Sequence, residues 1–373
     1  MKLHVVEIDS VVELQAHLDE GLGFSNVVLQ GLDLTAMTAP LLAANLHCAT
    51  FIGCLMSSEL LVHAVETGAV VFPRMSGVPY RTGRHRLYSV DELYDGFDPD
   101  QPASYATTLD AVVYQHWLKS GRATDANVRE TLARRLHDHG VTDALDEAVA
   151  GERIVAVMGG HGLARTDPGY AAVARMSRSL ARSGYMMASG GGPGAMEATH
   201  LGPWLCTYGD EALDRSLDLL AAAPGFEPPE EWLAAAFRVR AEFPQTLDAP
   251  RSLGIPTWLY GHEPPNAFAT DIAKYFANSV REDGLLTIAT HGIVFTPGSA
   301  GTVQEVFQDA TQNHYQTVGA PSPMVFFGTE FWTHEVPVLD VLRSVGAGQS
   351  WLELITVTDD EQEVVEAIAS HAR

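Results

Sequence analysis

Arg153-Ile154-Val155-Ala156-Val157-Met158-Gly159-Gly160-His161-Gly162 is the stretch from which the rest of the chain is best read. Ile154 to Met158 is a continuous apolar run. A strand that is apolar on both faces belongs inside a parallel sheet covered by helices. The glycines behind it mark a tight turn out of the strand. Tyr170 to Ser183 then carries Val173, Met176 and Leu180 at helical spacing, and Gly184 stands where a helix C′ glycine belongs. Tyr185 to Ser189 is the next strand. Strand, helix and strand in this order make a right-handed crossover unit.

Outward from that unit the alternation continues. Strand-like runs fall at Thr257-Trp258-Leu259-Tyr260, Gly292-Ile293-Val294-Phe295, Met324-Val325-Phe326-Phe327 and Leu354-Ile355-Thr356-Val357. Helical patterns occupy Phe268 to Val280, Val303 to Asn313, Phe331 to Val345 and Asp360 to His371. The fold class expected is α/β, a doubly wound parallel (Rossmann-like) sheet over residues 151–373. Residues 203–250 read as an insertion, helical over Asp210 to Ala222 and Pro229 to Ala241. Upstream, residues 101–150 read as a helical connector, after a linker at Asp98-Pro99-Asp100-Gln101-Pro102. Residues 1–100 read as a smaller N-terminal accessory domain, α/β or β-rich. Its β-prone runs are Val27 to Gln30, Ala49 to Ile52 and Ala69 to Phe72, with a helix from Ser57 to Glu66. Ala44 to Gly53 faintly resembles a pentapeptide repeat, but two units do not establish a solenoid.

Composition narrows the partners. The 373 residues are 46% apolar, enough for an ordinary core, and carry a formal charge of −24. That balance argues against nucleic acid and anionic membrane surfaces, which need clustered Lys and Arg. It leaves a small anion possible, because backbone N–H groups can form a local phosphate nest. Lys2, Lys119 and Lys274 are the only lysines. Cys48, Cys54 and Cys206 have no CxxC spacing and read as reduced and buried, as in a cytoplasmic protein. The opening Met1-Lys2-Leu3-His4-Val5-Val6-Glu7-Ile8-Asp9 meets acidic residues too soon for a secretory leader. No apolar run reaches the roughly 18 residues that span a bilayer.

Two glycine loops carry the chemistry. Gly190-Gly191-Gly192-Pro193-Gly194-Ala195-Met196-Glu197 and Pro297-Gly298-Ser299-Ala300-Gly301-Thr302-Val303-Gln304-Glu305 each lie between a strand and a helix. Open parallel sheets bind ligands at such turns. Glycine lets backbone approach a phosphate, and the helix start offers unpaired N–H groups and a positive dipole end. The hydroxyls of Ser299 and Thr302 add donors. Neither loop is a dinucleotide fingerprint with a ribose-binding acid, and neither has the Gly-Lys-Ser/Thr of a nucleoside triphosphatase.

Pro297-Gly298, Gly301-Thr302 and Glu305 resemble the PGGxGTxxE signature of the Lonely Guy family, long mislabelled lysine decarboxylases. Gly190 to Glu197 is similar to its partner glycine motif. Met158-Gly159-Gly160-His161, Gly192 to Ala198, and Glu263-Pro264-Pro265-Asn266 ahead of His291-Gly292-Ile293 resemble the longer bacterial nucleoside 5′-monophosphate nucleosidases. The resemblance spans about residues 150–373. It implies hydrolysis of the N-glycosidic bond to free base and ribose 5-phosphate, without cofactor or metal. It implies phosphate and substrate contacts at Gly159, Gly160, Gly190, Gly191, Gly192, Gly194, Met196, Asn266, Gly298, Ser299, Gly301 and Thr302. It implies catalytic roles for Glu305 and Arg281, and a homodimer or higher homo-oligomer. A carboxylate beside C1′ would stabilise the oxocarbenium-like charge and orient water.

Ser299 stands where the family has a second glycine, and serine fits there only if φ is negative or strain is tolerated. Arg281 lies about one residue from the family's spacing. His161, His262 and His291, expected beside the loops, match no zinc pattern and read as hydrogen-bonded structural groups. A pyridoxal-phosphate decarboxylase would need a Schiff-base lysine, and Lys274 has no supporting motif. The competing reading is non-catalytic: a nucleotide or molybdenum-cofactor carrier, or a nucleotide sensor with the N-terminal unit as output.

Overall fold

The computed structural model describes residues 5–124 and 126–371. Lys2 and the first four residues of the stretch read as lacking a leader lie outside them. The described chain forms two compact units. One takes the residues up to Leu87 together with His116–Ala148. The other takes Tyr88–Gln115 and Val149 onward. Residues 101–150, expected as a connector, are therefore shared between the two.

In the first unit, β1 (Val6–Ile8), β2 (Val27–Gln30), β3 (Thr50–Ile52) and β4 (Val70–Phe72) pair side by side, all parallel. Glu7, Val28, Thr50 and Val70 are neighbours across the sheet, 21, 22 and 20 residues apart. This is one strand and one helical turn-back per repeat, a short α/β solenoid. It replaces the pentapeptide reading. Leu46 is buried, but Cys48 stands in a turn at φ +62°, and only Thr50–Ile52 extends. Leu14, Leu29, Leu41, Phe51 and Leu60 fill the core between helices and sheet. Of the three cysteines expected to be buried, Cys48 is exposed, Cys206 half-buried and only Cys54 buried.

The second unit is the doubly wound sheet. Its strands are β5 (Ile154–Met158), β6 (Met186–Ser189), β7 (Ser252–Gly254), β8 (Asp271–Ile272), β9 (Ile293–Phe295), β10 (Met324–Phe327) and β11 (Ile355–Thr358). They are all parallel, in the order β11-β10-β9-β5-β6-β7-β8. The chain winds from β5 to one edge, returns, and winds from β9 to the other. β5 and β9 are neighbours, so the topological switch point lies between them, where such sheets open a crevice at the strands' carboxyl ends.

Three expected elements differ. Thr257 to Tyr260 is not a strand. Trp258–Tyr260 is a 3₁₀ turn, begun by the Thr257 hydroxyl accepting from Leu259 N–H. Phe268 to Val280 is not one helix but β8 followed by the start of the Asn278–Ile288 helix. Its apolar residues repeat at helical spacing because they are buried on every side, and pairing with β7 and with Tyr88 holds the segment extended. β7 itself follows directly on the insertion, too short and too mixed to be seen in sequence. The helix expected over Phe331 to Val345 is broken into a π-turn at Phe331–Glu335 and a helix at Val338–Val345, with Pro337 between them. No helix among the described residues is long and apolar enough to cross a membrane.

Lys274 lies beyond β8, not in a helix, and is fully buried. Its ammonium bonds the Asp110 carboxylate and sits 4.8 Å over the Trp258 ring. Burial pushes its pKa down and Asp110 opposes this. Removing one partner would leave a bare buried charge. Lys274→Met is expected to destabilise by about 3–5 kcal/mol in urea unfolding, and Lys274→Met with Asp110→Leu to recover most of that loss.

Candidate functional site

The cleft opens at the switch point and holds about 220 Å³ of free space. Three βα turns build it: Gly159-Gly160 after β5, Gly190 onward after β6, and Pro297 to Thr302 after β9. Backbone hydrogen bonds tie them together. Gly160 N–H donates to Pro297 C=O at 3.2 Å, and Ala195 N–H donates to Gly160 C=O at 3.2 Å. A side chain at Gly194 (φ +67°) would collide with that same Gly160 carbonyl. Gly191 (φ +74°) crosses Gly254 so closely that an added Cβ would lie 3.0 Å from its Cα.

Buried polar groups brace the Gly190 loop. The Asn266 amide donates to Gly191 C=O at 3.0 Å and Gly192 C=O at 3.4 Å. Its oxygen accepts from Phe268 and Ala269 N–H, both at 3.1 Å. Ser189 Oγ accepts from Gly191 N–H at 3.1 Å and shares a 2.8 Å hydrogen bond with His200 Nε2. Burial drives His200 down to about 3, so its ring is neutral. Glu197, at the end of the motif, points away from the cleft. It accepts two bonds from Arg165, 2.8 and 2.5 Å, one from Tyr170 Oη at 2.9 Å and one from Trp232 Nε1 at 3.3 Å. That fixes the start of its helix against the insertion helix Pro229–Glu242.

The second loop leads into the Ala300–Tyr315 helix. Ser299 is its N-cap at φ −104°, extended backbone that any residue adopts, so serine fits without strain. The first N–H groups of this helix have no intrahelical partner and meet the cleft with the positive dipole end. Gly298 leaves room for the Thr302 side chain beneath it. One turn further, Glu305 faces the cleft, its side chain 13% exposed. Arg281, on the Asn278–Ile288 helix, places Nη1 3.7 Å from Glu305 Oε1 while its Nε donates to Ile255 C=O at 2.9 Å. Burial raises the Glu305 carboxyl to about 7, Arg281 pulls it down, and Glu282 pushes it up.

The structure therefore brings Gly159, Gly160, Gly190, Met196, Arg281, Ser299, Gly301, Thr302 and Glu305 to one cleft. Gly191, Gly192, Gly194, Gly298 and Asn266 do not line it and shape the loops from behind. Sequence reasoning missed Tyr260, Glu263 and Glu282, which do line it. The Glu263-Pro264-Pro265-Asn266 stretch held a signal for Glu263 that was not assigned a role. His291 is not beside the loops. It precedes β9, at the amino end of the sheet, where its N–H donates to Ile154 C=O. His161 and His262, expected as hydrogen-bonded structural groups, stand 3.5 and 3.7 Å from the Glu263 carboxylate. Their side chains are 46% and 56% exposed, near Glu263. Among the described residues no three His, Cys, Asp or Glu are placed to hold a metal ion.

Two alanine substitutions separate loop shape from cleft chemistry. At Gly190 the atoms nearest an added Cβ belong to the Arg281 and Met196 side chains, which can move. Gly190→Ala is expected to cost under about 1 kcal/mol of stability while displacing Arg281 from its place beside Glu305 and so changing how the cleft takes AMP. At Gly194 the obstacle is backbone and φ is positive. Gly194→Ala is expected to cost about 2–4 kcal/mol. Urea unfolding and calorimetric titration with AMP check both.

No protein-family model matches the chain, and no curated protein matches it. Among solved structures, the Moco carrier protein from Chlamydomonas reinhardtii is similar at 17% identity and a TM-score of 0.36, over 59% of this chain and 97% of that one. The molybdenum cofactor binding protein from the phototrophic bacterium Rippkaea orientalis is similar at 12% identity and a TM-score of 0.35, over 59% of this chain and 96% of that one.

Proposed function

We propose that the chain hydrolyses the N-glycosidic bond of nucleoside 5′-monophosphates. One observation carries this reading: a carboxylate, Glu305, stands in the cleft one turn into the helix whose N-terminus would take the phosphate. A ligand held by its phosphate at Ser299 to Thr302 would extend its ribose along the first turn of that helix. Glu305 would then meet C1′ as positive charge develops there and take a proton from the attacking water. Arg281 keeps the carboxylate from becoming wholly neutral, while burial keeps it basic enough to act near pH 7. The proposal includes a cytoplasmic location and at least a homodimer, which light scattering tests.

The second reading is a carrier or sensor that holds a nucleotide or a phosphorylated cofactor in the same cradle without chemistry. Glu305 divides the two, since simple carriage needs no carboxylate beside the sugar. Incubation with a panel of nucleoside monophosphates, assayed for ribose 5-phosphate, decides. Binding without hydrolysis of any of them would replace the enzyme reading with the carrier.

For the enzyme, Glu305→Gln is expected to lower kcat by on the order of 10²-fold, about 3 kcal/mol, with AMP affinity by calorimetry largely kept. Equal turnover in wild type and variant would refute the role of Glu305.

The pH dependence has a fixed sign. Glu305 must be ionised to act, so kcat/KM should rise about tenfold per pH unit below pH 7 and level off above it. Because its folded pKa is raised, its contribution to stability is fully present below about 4.5 and is lost as pH rises through about 7. Glu305→Gln should therefore melt above wild type at pH 8 and alongside it at pH 4 in thermal unfolding.

A further inference from the structure

The cleft holds a second ionisable group that the water-activating step leaves unused. His161 and Glu263 both line it. His161 Nδ1 lies 3.5 Å from Glu263 Oε1, and His262 Nε2 lies 3.7 Å from the same oxygen. The Glu263 side chain is only 14% exposed, so the carboxylate is fixed while the His161 ring keeps an open face. His161 follows directly on Gly160, whose N–H and C=O tie the loops, and its ring packs edge-on against Phe226 with centroids 5.7 Å apart. Glu263 is anchored by its N–H donating to Tyr260 C=O at 2.8 Å and by the braced Asn266 three residues on. The Gly190-Gly191-Gly192 turn separates the two charged groups. Arg281 reaches the Gly190 position, and Glu263 Oε2 lies 3.9 Å from where a Cβ on Gly192 would stand.

Cleaving the glycosidic bond leaves an electron pair on the base. A purine or pyrimidine anion departs slowly, and a proton delivered to its nitrogen removes that barrier. We infer that His161, oriented by Glu263, is the general acid for the departing base, an inference that rests on the nucleosidase reading. The C1′–N bond breaks, its electron pair stays on the base nitrogen, and that nitrogen takes the proton from the His161 imidazolium. Water forms the new C1′–O bond and gives a proton to Glu305. Nucleotide and water become free base and ribose 5-phosphate, and the two side chains reset by exchanging one proton with solvent. His161 acts on the substrate. Glu263 is a positioning residue that acts through it. Tyr260, 42% exposed, lines the same cleft.

The test varies the leaving group. AMP, GMP, CMP and UMP release a base that needs a proton, whereas N7-methyl-GMP and nicotinamide mononucleotide release a neutral base without one. His161→Ala and Glu263→Gln are made in the full chain, and kcat and KM are read from ribose 5-phosphate release. Both variants are expected to lose about 10²-fold or more in kcat on the best ordinary monophosphate, with KM within a few-fold. On the cationic substrates they are expected to stay within a few-fold of wild type. Glu263→Asp, which keeps the carboxylate, should restore part of the loss. His161→Asn replaces the alanine variant if the latter does not fold. Equal losses on both kinds of substrate, or no loss on either, overturn the assignment of His161 while leaving the nucleosidase reading intact. A wild-type protein that releases ribose 5-phosphate from none of them overturns both.

Discussion

The backbone of Gly160 is the joint on which the cleft is built. It follows β5, the central strand, and it bonds in both directions: its N–H to the loop after β9, its C=O to the loop after β6. Three turns from three adjacent strands become one floor. That floor requires main chain to pass main chain at distances no side chain allows, at Gly191 against Gly254 and at Gly194 against Gly160. A polar brace beneath it, Asn266 with Ser189 and His200, satisfies the backbone groups that such crowding would otherwise strand. The turns that form the cleft are hydrogen-bonded to each other through the main chain.

Charge is handled differently in the core and in the cleft. The chain has 23 Lys and Arg against 47 Asp and Glu. Two buried cations close tightly on carboxylates, Lys274 on Asp110 and Arg165 on Glu197. Arg281 does not close on Glu305. It stops at 3.7 Å because its Nε is committed to the Ile255 carbonyl. A fully formed pair would hold the carboxyl low and inert. The looser one leaves burial in control, and the proton sits near its balance point at neutral pH.

The sheet was legible because Ile154 to Met158, Ile293 to Phe295 and Met324 to Phe327 are apolar throughout, a pattern that only a doubly covered strand needs. The edge was not: β7 and β8 are three and two residues long, and pairing rather than composition makes them strands. The solenoid period was hidden because each unit contributes only three or four strand residues and loops of differing length. At the site, the glycine turns could be read from the sequence because backbone approach is a local property, and Glu305 was singled out by the family resemblance. Glu263 and Tyr260 could not be placed. They come from an irregular segment whose path is set by contacts with the Gly190 loop, which no periodicity encodes.

The extended backbone at Ser299 means that nothing in the main chain there demands glycine. The position is exposed and borders the cleft. A fluorescent reporter introduced there through cysteine would stand at the rim of the cleft and sense its occupancy, at the cost of the serine hydroxyl. Cys48 is the most exposed thiol that would compete for the label, Cys206 being half-buried and Cys54 buried. Its left-handed backbone, φ +62°, names its own substitutes, since asparagine and glycine adopt that conformation at least cost.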